Sequence, residues 1–265
     1  MSVILETVGL EKSFDAVVAA HNINIRIHAG EVVGVIGSNG AGKTTFVNMV
    51  TGYLTPTAGQ ILFHREDIAG MPTREITKMG ICRSFQIPQL FPELTVLDNV
   101  LIALTIARRG KRGWLRPAID AGLTQDAMDL LARFHIEEHA HKLTTTLAQG
   151  VRKLVDIAMA TVAQPRLLFL DEPTSGVSAE EKMSFMATLI DALKATDTSV
   201  LFIEHDMELI EAFAPRCIAF YEGTILADAP TSQVLENDKV REFVIGAEFH
   251  RSADDDAQND MQKGA

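Results

Sequence analysis

The chain has 265 residues, of which 47% are hydrophobic and 22% charged, so we expect a sizeable core of ordinary globular composition. Its formal net charge of −11 argues against a surface whose main task is to bind a nucleic acid backbone, because that task needs clustered Lys and Arg. With two cysteines, no apolar run of about 18 residues and no pattern of a secretory signal, we expect neither a disulfide framework nor a membrane-spanning segment.

The first part of the chain predicts strands around a glycine-rich turn. Ile23, Ile25 and Ile27 alternate with polar residues, which is the period of a half-buried strand. Residues 32–36 form an almost continuous apolar run, which is typical of a strand covered on both faces. The glycine-rich turn follows, and the elements expected after it are a helix from about residue 43 to 51 and strands over residues 60–63 and 81–85.

The middle of the chain predicts helices, and strands return after it. The helices are expected over residues 95–107 with Thr95 as the N-cap, 125–134 and 150–163. Short apolar runs at residues 167–170, 200–203 and 218–221 predict strands separated by helical segments. This alternation predicts an α/β fold, with a mostly parallel sheet and helices on both of its faces. The helices between about residues 87 and 163 are then an insertion between core segments 1–86 and 164–245, and residues 250–265 are expected to form a disordered tail.

The segment after the second strand matches the G-x-x-x-x-G-K-[ST] pattern in full. This phosphate loop consists of Gly37, Ser38, Asn39, Gly40, Ala41, Gly42, Lys43 and Thr44, and Thr45 is added to the residues expected to bind the nucleotide. Glycines let backbone N–H groups turn inward around an anion, and the helix that follows adds the positive end of its dipole. We expect Lys43 to bind the β- and γ-phosphates of ATP and the Thr44 hydroxyl to ligate Mg²⁺.

Asp171 and Glu172 follow directly after the apolar run at residues 167–170. Because ligands collect at the C-terminal ends of strands in such sheets, we expect Asp171 to hold Mg²⁺ through water. Glu172 is expected to polarise the water that attacks the γ-phosphate. Two acids at a strand end are often only a solvated turn, and the complete phosphate loop earlier in the chain favours the catalytic interpretation.

His205 occupies a similar position, since it follows the apolar run at residues 200–203. We expect it to contact the γ-phosphate and to help orient Glu172 and the water. A histidine at a strand end is more often a capping or surface residue, and this alternative stays open.

The order of these segments resembles the ABC ATPase family over about residues 3–245. It includes a strand that ends at Gln86 and a signature segment made of Leu147, Ala148, Gln149, Gly150 and Val151. The resemblance implies a P-loop NTPase core with an N-terminal antiparallel β part and an inserted helical subdomain. It also implies that Phe14 stacks on adenine, that Gln86 senses Mg²⁺ and the γ-phosphate, and that the signature segment caps ATP held by another subunit. Two such domains, in a homodimer or a heterodimer, then close over two ATP molecules.

The signature segment departs from the usual Leu-Ser-Gly-Gly-Gln of the family. Ala148 lacks a hydroxyl that would bond the γ-phosphate, and Gln149 replaces a glycine. One charge-assisted hydrogen bond is worth about 1.5–3 kcal/mol. Residues 175–178 also lack the usual aspartate. We hypothesise that the ATP site formed by this signature segment and a partner's phosphate loop is the weaker of two sites.

Four stretches are similar to the ATP-binding subunits of bacterial branched-chain amino acid importers, namely residues 82–88, 94–100, 203–207 and 240–244. Such importers have two ATPase chains, two transmembrane permease chains and a periplasmic solute-binding protein. The resemblance therefore implies a peripheral subunit on the cytoplasmic side of the bacterial inner membrane, with no nucleic acid partner. Related systems carry urea, amides or aromatic acids, so the solute stays open.

The sequence gives less support to two other function classes. A soluble ABC ATPase acting on nucleic acid or ribosomes usually has a long coiled-coil insertion or a second ATPase domain, and neither is visible in the sequence. The partners of such proteins favour a basic surface, whereas this chain has a net charge of −11. An unrelated P-loop kinase or GTPase would not need Gln86, the signature segment and His205 together. A basic run fits either a solvated loop or a contact with anionic headgroups or a membrane subunit, and it consists of Arg108, Arg109, Lys111, Arg112 and Arg116.

Overall fold

The structure is a computed structural model that describes residues 2–84, 89–108 and 121–246. The chain divides into two compact units, one formed by the residues up to Glu75 and from Ile203 onward, the other running from Ile76 to Phe202. Gln86, the basic run after Arg108 and the predicted tail lie outside the described residues. The predicted division into a core and a helical subdomain at residues 87–163 stays a prediction.

The chain from its start to residue 79 contains five strands and two helices. They are β1 (Val3–Phe14), β2 (Val17–His28), β3 (Val32–Ile36), α1 (Lys43–Val50), β4 (Ala58–Phe63), β5 (Glu66–Asp67) and α2 (Thr73–Met79). Four of these strands form a sheet of order β2-β1-β4-β5 in which neighbours are antiparallel, so the predicted antiparallel β part is confirmed. The alternation in β2 buries Ile23, Ile25 and Ile27, and all five residues of β3 are buried, as predicted.

The second unit contains the four longest described helices, each of 13 residues. Its elements are β6 (Ile81–Ser84), α3 (Val96–Arg108), α4 (Ala121–Arg133), α5 (Gln149–Thr161), β7 (Leu167–Asp171), α6 (Lys182–Lys194) and β8 (Ser199–Ile203), whose last residue passes the boundary. The three strands lie in the order β8-β7-β6, and β6 and β7 are parallel. The predicted helices are confirmed with shifted ends, since α4 begins before residue 125 and α5 ends at Thr161.

Thr95 caps α3 as predicted. The backbone N–H of Asp98 donates to the Thr95 hydroxyl oxygen over 3.1 Å, and that hydroxyl donates to Oδ2 of Asp98 over 2.6 Å. This reciprocal pair satisfies groups that a helix start leaves without intrahelical partners. At the other end of α3, Arg108 donates to Asp126 of α4, so this member of the basic run is held by an ion pair.

After β8 the chain returns to the first unit with α7 (Met207–Phe213), β9 (Arg216–Tyr221), β10 (Thr224–Pro230), α8 (Thr231–Glu236) and α9 (Asp238–Val240), followed by a π-helical turn at Arg241–Ile245. β9 lies between β3 and β10, parallel to β3 and antiparallel to β10. The parallel pairs β3–β9 and β6–β7, each connected through helices, confirm the predicted α/β class. Within the described residues, none of the helices has the length and apolarity that spanning a bilayer requires.

Candidate functional site

The phosphate loop connects the end of the buried strand β3 to the start of α1. Gly42 is the N-cap of α1 and has a φ of 100°, a left-handed conformation that glycine adopts without strain. A Cβ at this position would also lie 2.8 Å from the carbonyl oxygen of Ala19, so the space itself excludes a side chain. The N–H of Gly223, in the turn between β9 and β10, donates to the carbonyl of Ala41 over 3.0 Å and anchors the loop. The strand–loop–helix arrangement predicted from the sequence is therefore present.

Lys43 is the first residue of α1, and its side chain is folded against the loop. Only 7% of Lys43 is exposed, and its ammonium donates to the carbonyl of Gly37 and, over 3.1 Å, to the carbonyl of Ser38. Thr44, the next residue, is exposed. The cation is thus held beside the N-terminus of α1, where backbone N–H groups and the helix dipole also favour an anion.

Phe14 lies at the end of β1, next to the tight turn that leads into β2. Its ring is largely exposed, at 47%, and the ammonium of Lys12 lies 5.0 Å from the ring centroid. An exposed aromatic ring can stack on a flat ligand ring, which is the contact predicted for adenine.

His205 follows β8 and is half-buried. The cap of α7 is Asp206, whose side chain accepts from the N–H of Glu208 over 3.2 Å, so His205 is not the capping residue. The N–H of Glu204 donates to the carbonyl of Val35 over 3.3 Å and ties this turn to β3, the strand that precedes the phosphate loop.

Asp171 is the last residue of β7 and forms an ion pair that the sequence analysis missed. Arg83 of β6 donates from Nη2 to Oδ2 of Asp171 over 2.6 Å. The register of the two parallel strands explains the contact, because Arg83 is paired with Phe169 and its long side chain reaches the strand end. The signal in the sequence was an arginine inside an otherwise small and apolar strand.

Glu172 is half-buried and has a φ of 47°, an uncommon backbone conformation for a residue with a Cβ. Its carbonyl oxygen accepts from the N–H of Ser175 over 3.1 Å and from the ammonium of Lys153 over 3.0 Å. Lys153 was not predicted as a site residue, because its only signal in the sequence is a charge beside the apolar positions of α5.

The signature segment forms the start of α5. Ala148 is the N-cap and makes no side-chain cap hydrogen bond, and the helix begins at Gln149. Ala148 and Gln149 are exposed, whereas Leu147 and Gly150 are half-buried. Because the first N–H groups of a helix have no intrahelical acceptor, this end of α5 favours an anion from outside the chain.

The donor atoms predicted for Mg²⁺ fit that ion by their chemistry. The Thr44 hydroxyl and the Asp171 carboxylate are hard oxygen ligands, which Mg²⁺ prefers. Gln86, the third predicted ligand, lies outside the described residues.

Comparison with known proteins identifies the family. Residues 20–175 match the family described as ABC transporter. The chain belongs to this family. It is 33% identical over 256 residues to the high-affinity branched-chain amino acid transport ATP-binding protein LivG of Escherichia coli strain K12, with 92% of this chain and 98% of LivG covered. It is 32% identical over 249 residues to the corresponding protein BraF of Pseudomonas aeruginosa, with the same coverage of 92% and 98%.

Solved structures agree with this assignment. The ADP conformation of an ATP-binding cassette of an ABC transporter superposes with a TM-score of 0.79 at 27% identity, covering 92% of this chain and 98% of that one. A further cassette, from Clostridium perfringens and part of the complex cbiONQ, gives a TM-score of 0.78 at 27% identity, with 91% and 94% covered.

The predicted family and the predicted P-loop NTPase fold are therefore confirmed. The chain is an ABC ATPase homologous to the ATP-binding subunits of branched-chain amino acid transporters, and the ATPase domain of this family binds ATP and ADP. These relatives do not favour the alternative of a soluble ABC ATPase acting on nucleic acid or ribosomes. The roles of the individual site residues remain predictions.

Proposed function

We propose that this chain is one of two ATPase subunits that power the import of branched-chain amino acids or related small solutes. Its partners are then a second ATPase subunit, two transmembrane permease subunits and, indirectly, a periplasmic solute-binding protein. The permeases hold it at the cytoplasmic side of the inner membrane. The observation that carries the proposal is the identity of 33% and 32% with LivG and BraF along 92% of the chain, because both are branched-chain amino acid transport proteins by name.

We further propose that the phosphate loop binds the triphosphate of ATP as substrate. Lys43 binds the β- and γ-phosphates together with the backbone N–H groups of the loop, and Thr44 and Thr45 complete the contacts. Phe14 stacks on the adenine ring. The buried ammonium of Lys43 and the exposed ring of Phe14 support these roles.

Mg²⁺ accompanies the nucleotide in this proposal, with Thr44, Asp171 and Gln86 as the residues that hold it. When bound, this ion neutralises negative charge on the β- and γ-phosphates. Arg83 orients the Asp171 carboxylate through its bond to Oδ2.

Glu172 is the proposed general base of hydrolysis. The water oxygen forms a bond to the γ-phosphorus while the bond from that phosphorus to the bridging oxygen of ADP breaks. The water proton passes toward the carboxylate of Glu172, and the products are ADP and phosphate. His205 and Gln86 contact the γ-phosphate and help to orient the water and Glu172.

The signature segment is proposed to cap ATP bound to the phosphate loop of the second ATPase subunit. The start of α5 supports this, because Ala148 and Gln149 are exposed and Ala148 makes no side-chain cap hydrogen bond, so the first N–H groups of the helix can face an anion from outside the chain. A dimer of ATPase subunits follows, and the second subunit provides the segment that faces Lys43 of this chain.

The test is reconstitution of this chain with the second ATPase and both permeases in vesicles, with the binding protein outside. We expect ATP-dependent uptake of radiolabelled leucine, isoleucine or valine. Lys43→Ala should abolish ATP binding and uptake, and Glu172→Gln should retain ATP binding but abolish hydrolysis and uptake. Lys194→Ala, at an exposed position of α6, is the control and should behave as wild type.

The two parts of the proposal fail separately. Uptake of urea, an amide or an aromatic acid in place of leucine would contradict the proposed solute but would leave the proposed ATPase chemistry intact. Unchanged hydrolysis in both Lys43→Ala and Glu172→Gln would contradict the assigned chemistry.

A further inference from the structure

Lys153 is a buried lysine in the second turn of α5, with only 4% of the residue exposed. Placing an ammonium in the interior is unfavourable unless fixed partners compensate for the lost water. The Nζ of Lys153 donates to the backbone carbonyl oxygen of Glu172 over 3.0 Å. A hydrogen bond with an ionised donor is shorter and stronger than one between neutral groups. The lysine is therefore fixed on the backbone of the proposed general base.

The backbone of Glu172 needs such support. A left-handed conformation is strained for a residue with a Cβ, and Glu172 adopts it with a φ of 47°. The carbonyl of Glu172 accepts from both Lys153 and Ser175, so two donors fix the peptide plane that follows Glu172. The Glu172 side chain is attached to the same Cα as this carbonyl group. The direction of the carboxylate therefore depends on the orientation of the peptide plane.

Asp156 lies three residues after Lys153 and anchors the same stretch of α5 a second time. Its Oδ1 accepts from the backbone N–H of Gln89 over 2.8 Å. Burial raises the pKa of the Asp156 carboxyl above its ordinary value, although the Gln89 N–H and the positive charge of Lys153 act in the opposite direction. Lys153 therefore has the charge of Asp156 nearby on its own helix, in addition to its hydrogen bond to the Glu172 carbonyl.

We propose that Lys153 is a positioning residue for Glu172, holding its carbonyl so that the carboxylate is presented to the attacking water. The proposal rests on the proposed role of Glu172 in hydrolysis. Lys153 acts through Glu172, so it affects the rate of hydrolysis and not the binding of ATP. Since Gly150 and Lys153 belong to the same helix, a shift of the start of α5 also reaches Glu172.

The experiment compares Lys153→Met, Lys153→Arg and Lys194→Met in the assembled transporter, with Glu172→Gln as the reference for lost chemistry. We expect Lys153→Met to lower kcat about 10- to 100-fold while KM and ATP affinity stay within about twofold, because a misplaced catalytic group slows the chemical step alone. Lys153→Arg should recover most of kcat, since it keeps the charge and the N–H donors. Lys194→Met, on exposed surface of the same unit, should match wild type.

Backbone hydrogen exchange gives a readout that does not depend on activity. The backbone amides of Glu172, Thr174, Ser175 and Gly176 should exchange faster in Lys153→Met than in Lys194→Met. A wild-type kcat in Lys153→Met overturns the proposal, and so does an equal loss of kcat and ATP affinity. Full activity of Glu172→Gln would instead overturn the proposed function, whatever Lys153→Met does.

A second variant decides the matter if Lys153→Met does not fold. Asp156→Asn keeps an oxygen that can accept from Gln89 and removes the negative charge that attracts the Lys153 ammonium. We expect a lower kcat with unchanged KM. An unchanged kcat in folded Asp156→Asn overturns the proposal.

Discussion

Arg83 of β6 donates from Nη2 to Oδ2 of Asp171, the last residue of β7, over a distance of 2.6 Å. Only 12% and 17% of the two side chains are exposed, so solvent and salt screen the pair weakly. Removal of either partner leaves a charge in a low-dielectric environment without its counterion. The carboxylate that we propose for Mg²⁺ is therefore already oriented by a cation of the neighbouring strand.

A double-mutant cycle measures this coupling. Arg83→Met and Asp171→Asn should each lower the free energy of unfolding by about 2–4 kcal/mol. Arg83→Met leaves the nearly buried Asp171 carboxylate without this ion pair, and Asp171→Asn does the same to the Arg83 guanidinium. The double variant should lose less than the sum, with a coupling of about 1–3 kcal/mol. Urea unfolding of the nucleotide-free chain gives all four values. The control is Arg133→Met, at an exposed position of α4, whose effect should add to that of Asp171→Asn. If the effects of Arg83→Met and Asp171→Asn were also simply additive, the prediction would be contradicted.

The environment of Glu31 predicts how the free energy of unfolding changes at acidic pH. Burial alone raises its pKa, but hydrogen bonds from the His28 N–H and from Arg216, together with the charge of Arg216, outweigh burial and hold the pKa below its ordinary value of 4.5. Arg216 donates to Oε1 of Glu31 over 3.0 Å. Since the folded-state pKa is the lower one, this stabilisation is fully present above about pH 4.5 and is lost as the pH falls through the folded-state value.

Urea unfolding of wild type and Glu31→Gln between about pH 6 and pH 3 tests this sign. The wild type should lose its advantage over Glu31→Gln as the pH falls below 4.5, the ordinary pKa of the group. Glu180→Gln, at an exposed position, should follow the wild-type curve. A stability difference that grows toward acid would contradict the prediction.

The local parts of the fold and site were predictable, and the contacts between distant segments were not. The continuous apolar run of β3, the phosphate loop and the Thr95 cap depend on residues within a few positions of one another, so the sequence pattern contains the needed information. Arg83 and Asp171 are separated by 88 positions, and their contact depends on the parallel register of β6 and β7. The contact between Lys153 and Glu172 likewise depends on the packing of α5 beside Glu172, and the sequence periodicity does not predict that packing.

Ala148 allows a test of the altered signature segment. Ala148→Ser adds a hydroxyl at the N-cap of α5, where no side chain makes a cap hydrogen bond. If that hydroxyl bonds the γ-phosphate held by the partner, ATP affinity or ATPase rate of the assembled complex should rise by about 10-fold, as expected for one charge-assisted hydrogen bond.

The same hydroxyl can also cap its own helix, which would raise the free energy of unfolding by about 0.5–2 kcal/mol without ATP. Ala148→Gly serves as the control, because it changes the backbone without adding a hydroxyl. A gain in stability with no gain in ATP affinity or rate would count against the hypothesis of a weakened site.

Gly150 tests whether the start of α5 faces a ligand outside the chain. A Cβ at Gly150 would lie 3.7 Å from side-chain atoms of Phe185 and Val177, an ordinary contact distance, so the fold itself does not require glycine there. Because alanine favours a helix over glycine by up to about 1 kcal/mol, Gly150→Ala should unfold no earlier than wild type. If the partner's phosphate approaches the helix N–H groups closely enough to require glycine, ATPase activity of the assembled complex should nevertheless fall about 10-fold.

Gly176→Ala is the matched control, since its effect should be the reverse. Gly176 has a φ of 77°, and a Cβ there would lie 3.2 Å from Cγ of Gln149, so this glycine is required by the fold. Its replacement should cost about 1–2 kcal/mol of stability. Thermal unfolding and steady-state ATPase on both variants separate the two cases. If Gly150→Ala lost stability and kept its ATPase activity, the start of α5 would be a structural element of this chain and not a surface for the partner's nucleotide.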